Sequence, residues 1–293
     1  MALGGNALGR GTAAEQLTAL RETCSAIAPL LREGETVVTH GNGPQVGNEL
    51  LRQERAADEV PPLPLYLNVA QTQAEIGALL ETELGAASSR QVVCLLTHVH
   101  VDPDDPAFAS PSKPIGPFYS AEQARELERQ RGWQLVEDAG RGFRRVVPSP
   151  DPLEIVELDA IRALLSSGAV TIACGGGGIP VVRRDGRLKG VDAVIDKDRA
   201  SALLATRLGA ERLVILTEVP AVYRHFRKSN QQEVRELSAG EAESLLPELA
   251  EGSMRPKLEA AVDFAHAGGE TLITSFDALA AALESRAGTL VKP

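Results

Sequence analysis

Residues 169–180 read AVTIACGGGGIP, an apolar run followed by four consecutive glycines. Glycine loses more backbone freedom on folding than any other residue, so the run costs stability and must return something at this point. A short apolar run bounded by glycine and proline reads as a buried strand. Two other stretches share the arrangement. LGGNALG (3–9) follows Met1 and Ala2, and HGNGPQVG (40–47) follows Thr36-Val37-Val38-Thr39; both lead into helical patterns. In a parallel sheet all such turns lie at the carboxyl ends of the strands, where α/β folds bind ligands. A glycine turn exposes backbone N–H groups, and at a helix N-terminus these groups and the dipole favour anions, phosphate above all. Three such turns on one sheet edge point to an anion site.

The rest of the chain alternates in the same way. Thr12 caps a helix reaching about Arg32, with Leu17, Leu20, Cys24, Ile27 and Leu31 on one face and Pro29 kinking or trimming its end. Helices are expected at 44–57, 67–84, 153–167, 196–208, 239–246 and 255–267. Strands are expected at 91–101, 168–173, 213–216 and 271–273. VVRRDGRLKGV (181–191) reads as a hairpin turning at Asp185-Gly186. This order argues for a mostly parallel α/β sheet covered on both faces. Residues 102–149 stand apart. They are rich in proline and charge, hold the single tryptophan, Trp133, and read as an excursion from the sheet, a lid or small subdomain.

At 293 residues the chain suffices for one large domain or two lobes. Its net charge of −10 disfavours nucleic-acid and acidic-membrane partners. No apolar stretch reaches membrane-spanning length and no signal peptide is evident, so a cytoplasmic location is expected. Cys24, Cys94 and Cys174 are widely spaced and read as buried free thiols.

GxxxxGK[ST] is absent, which excludes a P-loop enzyme, and no cluster supplies the dinucleotide pattern GxGxxG. Phosphoryl transfer needs positive charge on the moving group and usually Mg2+. Three lysines sit in short, unusual contexts: Lys113 in SPSKPIGPF, Lys197 in VIDKD between Asp196 and Asp198, and Lys257 in GSMRPK at a helix start. His98, His100 and Asp102 alternate onto one strand face and read as strand-end polar residues rather than as metal ligands. His40 reads as a brace for its loop.

The ordered series ALGGNAL, HGNGPQVGN, QTQAEIG, SKPIGPF, EDAGRGFRRVVPSPDP, CGGGGIPVV, LKGVDAVIDKD, GSMRPKLEAA and AGTLV resembles the carbamate kinases of the amino acid kinase superfamily across nearly the whole chain. The resemblance implies a three-layer αβα sandwich with an open, mainly parallel sheet, a protruding lid subdomain at about 102–149, and a homodimer. It implies an N-terminal lobe (1–178) for carbamate or carbamoyl phosphate and a C-terminal lobe (179–293) for nucleotide. It implies reversible transfer between ATP and carbamate, giving ADP and carbamoyl phosphate, with Mg2+ carried on the nucleotide and the ATP-forming direction typical.

By the same resemblance Gly4, Gly5, Asn6, Gly41, Asn42 and Gly43 line the pocket for the carbamoyl and phosphoryl groups, and Gly175, Gly176, Gly177 and Gly178 approach the carbamate. Lys197 and Lys257 neutralise the moving phosphoryl group, Asp198 orients them, and Lys113 reaches in from the lid. Thr217, Val219, Tyr223 and Met254, with Lys197 and Lys257, belong to the nucleotide side. Most other amino acid kinases carry lysine where this chain has Ala2, which makes Lys113 the substitute. Glu218 and Pro220 depart from the family pattern. Family members also carry several residues before ALGG, so the strand at Met1–Leu3 is expected to be longer in them. Two alternatives stay open on this sequence: a kinase for another small carboxylate, and a non-catalytic anion or nucleotide binder. Ala2 and EDAGRGF weigh against the first, and the lysines with Asp198 weigh against the second. Because carbamate has few atoms, the glycine run is expected to press backbone against substrate, so that Gly176→Ala harms turnover more than stability.

Overall fold

The computed structural model describes residues 1–4, 12–138, 140–249 and 254–293. Its central sheet runs, edge to edge, Glu236–Ser238, Thr289–Lys292, Glu270–Ser275, Arg212–Thr217, Ala2–Leu3, Val37–His40, Val170–Ile172 and Val92–Cys94. The last six strands in that order are mutually parallel. Thr289–Lys292 runs antiparallel to Glu270–Ser275, and Glu236–Ser238 follows its direction.

Strand alternation divides the core into two helix-covered faces. Ala2, Ile215, Ile273 and Val291 pack with helices Lys197–Leu208, Ala239–Leu245 and Arg255–His266. Leu3, Val214, Leu216, Leu272, Val38 and Ile172 pack on the other face with helices Ala13–Ile27, Leu65–Ser88 and Leu279–Leu283. This is the three-layer αβα sandwich expected from the sequence. Among the described residues no helix is long and apolar enough to cross a membrane.

The first helix starts at a capping box, with Thr12 accepting from Glu15 N–H and Glu15 accepting from Thr12. Its α-helical part ends at Ile27, and Pro29 sits inside a following 3-10 turn, Ala28–Leu31. The 181–191 hairpin turns where expected: Arg184 pairs with Arg187, and Asp185 and Gly186 take positive φ of 50° and 74°, the pattern of a type I′ turn.

Two expected elements are corrected. Residues 91–101 do not form one strand. Val92–Cys94 is the edge of the central sheet, whereas His98–Val101 pairs with Ile179–Arg184 and Pro152–Ile155 in a separate four-stranded sheet. The buried Gln73 carboxamide turns the chain between them, accepting from Thr97 N–H at 2.7 Å. Apolar alternation is the same on both sides of that turn, so periodicity does not see it. Residues 153–167 likewise hold a strand, Pro152–Ile155, before the helix Leu158–Ser166. Glu157 ends that strand by receiving His98 N–H and Nδ1 at 2.7 and 2.8 Å.

Residues 102–149 form a subdomain of three antiparallel strands, Lys113–Tyr119, Phe143–Val147 and Leu135–Glu137, with the helix Ala121–Arg131. Ile115 and Val147 from its strands bury themselves with Val46, Leu50, Leu65 and Val69 of the main body. The excursion is therefore docked on the sandwich.

Candidate active site

The strands that lead into the three glycine stretches are neighbours: Ala2–Leu3 lies beside Val37–His40, and Val37–His40 beside Val170–Ile172. Gly41 N–H donates to Leu3 C=O at 3.1 Å and ties the first two. Asn42 occupies the cap position of helix Gly43–Arg55, whose N-terminus points into the site. Its Nδ2 donates to Thr72 Oγ1 at 3.0 Å. The next residue, Gln73, donates to Gly175 C=O at 2.8 Å. Thr97 Oγ1 accepts from Cys174 N–H at 3.1 Å. Thr72 and Gln73 thus give QTQAEIG its structural meaning: it is the buried post to which two loops are fastened.

The glycine run is packed against protein more than against open space. A Cβ on Gly175 would lie 2.3 Å from His40 Nε2, on Gly176 2.2 Å from Asn42 Nδ2, on Gly177 2.3 Å from Ile195 C=O, and on Gly178 2.3 Å from Val99 Cγ2. Gly176, Gly177 and Gly178 also have φ of 66°, 91° and 90°, which disfavours any L side chain. The run lets three loops converge, and Gly176 is its member on the cavity wall. His40 is fully buried with Nδ1 3.1 Å from Gly41 C=O, which suits a brace. Burial pushes its pKa down to about 4, with the Lys197 charge adding to the shift and the Gly41 contact opposing it.

The lysines converge from distant sequence positions. Asp196 caps helix Lys197–Leu208, accepting from Asp198 N–H at 2.8 Å. That cap sets Lys197 and Asp198 in the first turn, where Lys197 pairs with Asp198. Lys257, in the first turn of Arg255–His266, reaches the other oxygen of Asp198 at 3.0 Å. Lys113 opens the lid strand and reaches Asp196 Oδ2 at 2.5 Å.

Burial alone would raise both carboxyls, but the lysine charges outweigh it and hold Asp196 and Asp198 below the usual carboxylate range. Burial also dominates at Lys197 and pulls its pKa down against the attraction of Asp198. At Lys257 burial is overcome by Asp198, with Asp196 and Glu218 contributing, and its pKa rises. The outcome is a group of lysines held beside paired carboxylates on one cavity.

These groups border a cavity of about 700 Å3. Its floor is Gly41, Asn42, Gly43 and Gly176; one wall is Lys197, Asp198 and Lys257; the lid contributes Lys113, Arg141 and Arg144. Arg144 and Arg141 lie 3.1 and 3.7 Å from Asp138. Of the other residues singled out from sequence, Gly4, Gly175, Gly177, Thr217, Val219, Tyr223 and Met254 do not line this cavity. Gly4 is pressed on the next strand, where a Cβ would come 2.9 Å from Leu216 C=O. Thr217 ends that strand, Tyr223 packs near Phe226 with ring centroids 5.9 Å apart, and Met254 precedes the Lys257 helix. Gly5 and Asn6 lie outside the described residues. Asp196 and Arg144 line the cavity and Thr72 and Gln73 fasten its loops, although sequence reasoning gave none of the four a role. The Asp just before a helix start was a signal for Asp196; Thr72 and Gln73 lie in the quoted stretch QTQAEIG and Arg144 in EDAGRGFRRVVPSPDP, but their contacts are not local.

Residues 1–275 match the amino acid kinase family. Carbamate kinase of Staphylococcus haemolyticus is 47% identical over the whole of this chain and 98% of its own length. Carbamate kinase 3 of Staphylococcus aureus is 46% identical with the same coverage. The structure of carbamate kinase from Giardia lamblia bound to AMP-PNP superimposes with a TM-score of 0.90 at 38% identity, covering 99% of this chain and 96% of that one. Matched by the family over residues 1–275 and by these relatives over its whole length, the chain belongs to the amino acid kinase family and, within it, to the carbamate kinases.

Proposed function

We propose that the chain moves a phosphoryl group directly between ATP and carbamate, in line and with no covalent enzyme intermediate, and works mainly toward ATP from carbamoyl phosphate. The observation that carries this reading is the convergence of Lys113, Lys197 and Lys257 on one cavity, each backed by Asp196 or Asp198. Charge spreads over the equatorial oxygens of a moving phosphoryl group, so preorganised cations act on it without reorganisation. The carbamate oxygen is itself the nucleophile. Gly41, Gly43 and Gly176 supply a floor on which a very small substrate rests, and positioning gives the remaining acceleration. Lys113 closes the site from the lid and takes the place of the lysine absent at Ala2.

Thr217, Val219, Tyr223 and Met254 would border the nucleotide beyond the cavity, beside the strand end of Arg212–Thr217. Mg2+ fits as an ion carried by the nucleotide phosphates, where it would add further neutralising charge. Asp138, Asp196 and Asp198 at the cavity already engage arginine or lysine, and the described residues hold no cluster of His, Cys, Asp and Glu suited to a metal. The chain would act as a homodimer in the cytoplasm.

The test is ATP production from ADP, Mg2+ and carbamoyl phosphate by the purified chain. ATP formation that stops with EDTA and resumes with Mg2+ is expected. Folded protein that forms no ATP would overturn the reading.

A further inference from the structure

Gly47 lies in the interior of helix Gly43–Arg55, where alanine is the better helix former. It is buried, and its environment explains the glycine. A Cβ there would come 2.7 Å from Gly116 Cα and 2.8 Å from Gly116 N, well inside van der Waals contact. Gly116 belongs to the lid strand Lys113–Tyr119, three residues after Lys113. It has φ of 75°, at the register shift in that strand. Its carbonyl accepts from Arg144 Nε at 3.1 Å, so the strand is held from the lid side as well. Ile115 is 2% exposed and packs with Val46, the neighbour of Gly47. The lid therefore approaches the main body backbone to backbone at Gly47 and Gly116, close to the lysine it delivers.

We infer that Gly47 is a positioning residue for Lys113: the side-chain-free contact with Gly116 sets how deep the lid strand seats and hence whether the Lys113 ammonium reaches Asp196. The inference rests on the reading that Lys113 acts in the reaction. It adds what fixes the reach of that lysine, which is the approach of two glycines rather than the ion pair alone.

The lid carries its own reporter. Trp133 is the only tryptophan. It lies under Arg131 and Arg145, 5.2 and 4.5 Å from the ring centroid, and Arg131 lies 3.7 Å from Glu54 on the Gly47 helix. A lid strand lifted at Gly116 would alter that junction.

The experiment compares Gly47→Ala with Gly85→Ala. Gly85 is also inside a helix, Leu65–Ser88, and a Cβ there meets nothing within 4 Å. Gly85→Ala is expected to fold with Tm unchanged or raised by about 2 °C, and Gly47→Ala to fold with Tm lowered by about 2–6 °C as the lid strand shifts to admit the Cβ. Gly47→Ala should lower kcat by roughly tenfold or more and shift Trp133 emission, while Gly85→Ala changes neither. In a Lys113→Ala background, Gly47→Ala should lower kcat by less than about twofold. Gly47→Ala with parental kcat and parental emission, beside an impaired Lys113→Ala, overturns this inference alone. So does an equal loss with and without Lys113, or a Gly47→Ala chain that does not fold. Parental turnover in Lys113→Ala overturns the role of Lys113 and this inference with it.

Discussion

Lys113 Nζ and Asp196 Oδ2 stand 2.5 Å apart although 83 residues separate them in the chain. The other oxygen of Asp196 caps the helix that begins with Lys197, so one carboxylate both starts that helix and receives the lid lysine. Seating of the lid is thereby tied to the placement of the second lysine.

Asparagine caps a helix about as well as aspartate, but it carries no charge. Asp196→Asn is expected to lower kcat by about tenfold or more. Asp196→Ala should lose the same activity and about 1 kcal/mol more stability than the asparagine variant. Urea unfolding with ATP-formation kinetics separates the two roles. Equal stability of both variants would remove the cap, and parental kcat in both would remove the charge.

Asp198 lies between two buried ammonium groups, with Lys197 and Lys257 side chains 10% and 16% exposed. Asp198→Asn leaves both without their shared counter-charge, and about 3 kcal/mol of stability should be lost. In the parent, the carboxyl pKa values of Asp196 and Asp198 are depressed by folding. Their contribution is complete above the ordinary carboxylate pKa and disappears as pH falls through the lowered values. Denaturant titration at neutral pH and at progressively lower pH checks both statements.

His40 gives a different window. Its pKa falls from 6.5 unfolded to about 4 folded because it is buried. Between those values the unfolded chain binds more protons, so stability falls as pH is lowered. From pH 7 to pH 5 this one group should cost about 2 kcal/mol, a slope absent from His40→Gln. Identical pH dependence in parent and variant would contradict a buried neutral imidazole.

Gly176→Ala was expected from sequence to harm turnover more than stability. The structure changes the forecast, because a Cβ at φ 66° would also strike Asn42 Nδ2 at 2.2 Å. Loss of about 2 kcal/mol is now expected together with reduced turnover. Asn42 can withdraw only by breaking its 3.0 Å bond to Thr72. Parental Tm with reduced kcat would restore a contact with substrate as the main role of this glycine.

Most of the sheet was legible because burial on both faces writes short apolar runs, and glycine turns mark their carboxyl ends. The chain between Cys94 and His98 was not. Its change of sheet depends on the Gln73 side chain, which is 24 residues from Thr97 and has the same local pattern on either side. Pro152–Ile155 was misassigned for a related reason: its strand state comes from pairing with His98–Val101, not from its own periodicity. Lys113, Lys197 and Lys257 stood out by context, yet nothing local showed that Asp196 and Asp198 would join them into one charge network.

The sequence by itself determined which segments are apolar, where the glycine turns fall, which lysines are unusual and which family the motifs resemble, since all of these are local properties of composition and spacing. Only the tertiary structure decided that the CGGGGIP glycines yield mainly to His40, Asn42, Ile195 and Val99, and that Gly47 yields to Gly116. Backbone close approach is a property of two segments at once. A glycine announces in sequence that something comes near, and the fold alone determines what that neighbour is.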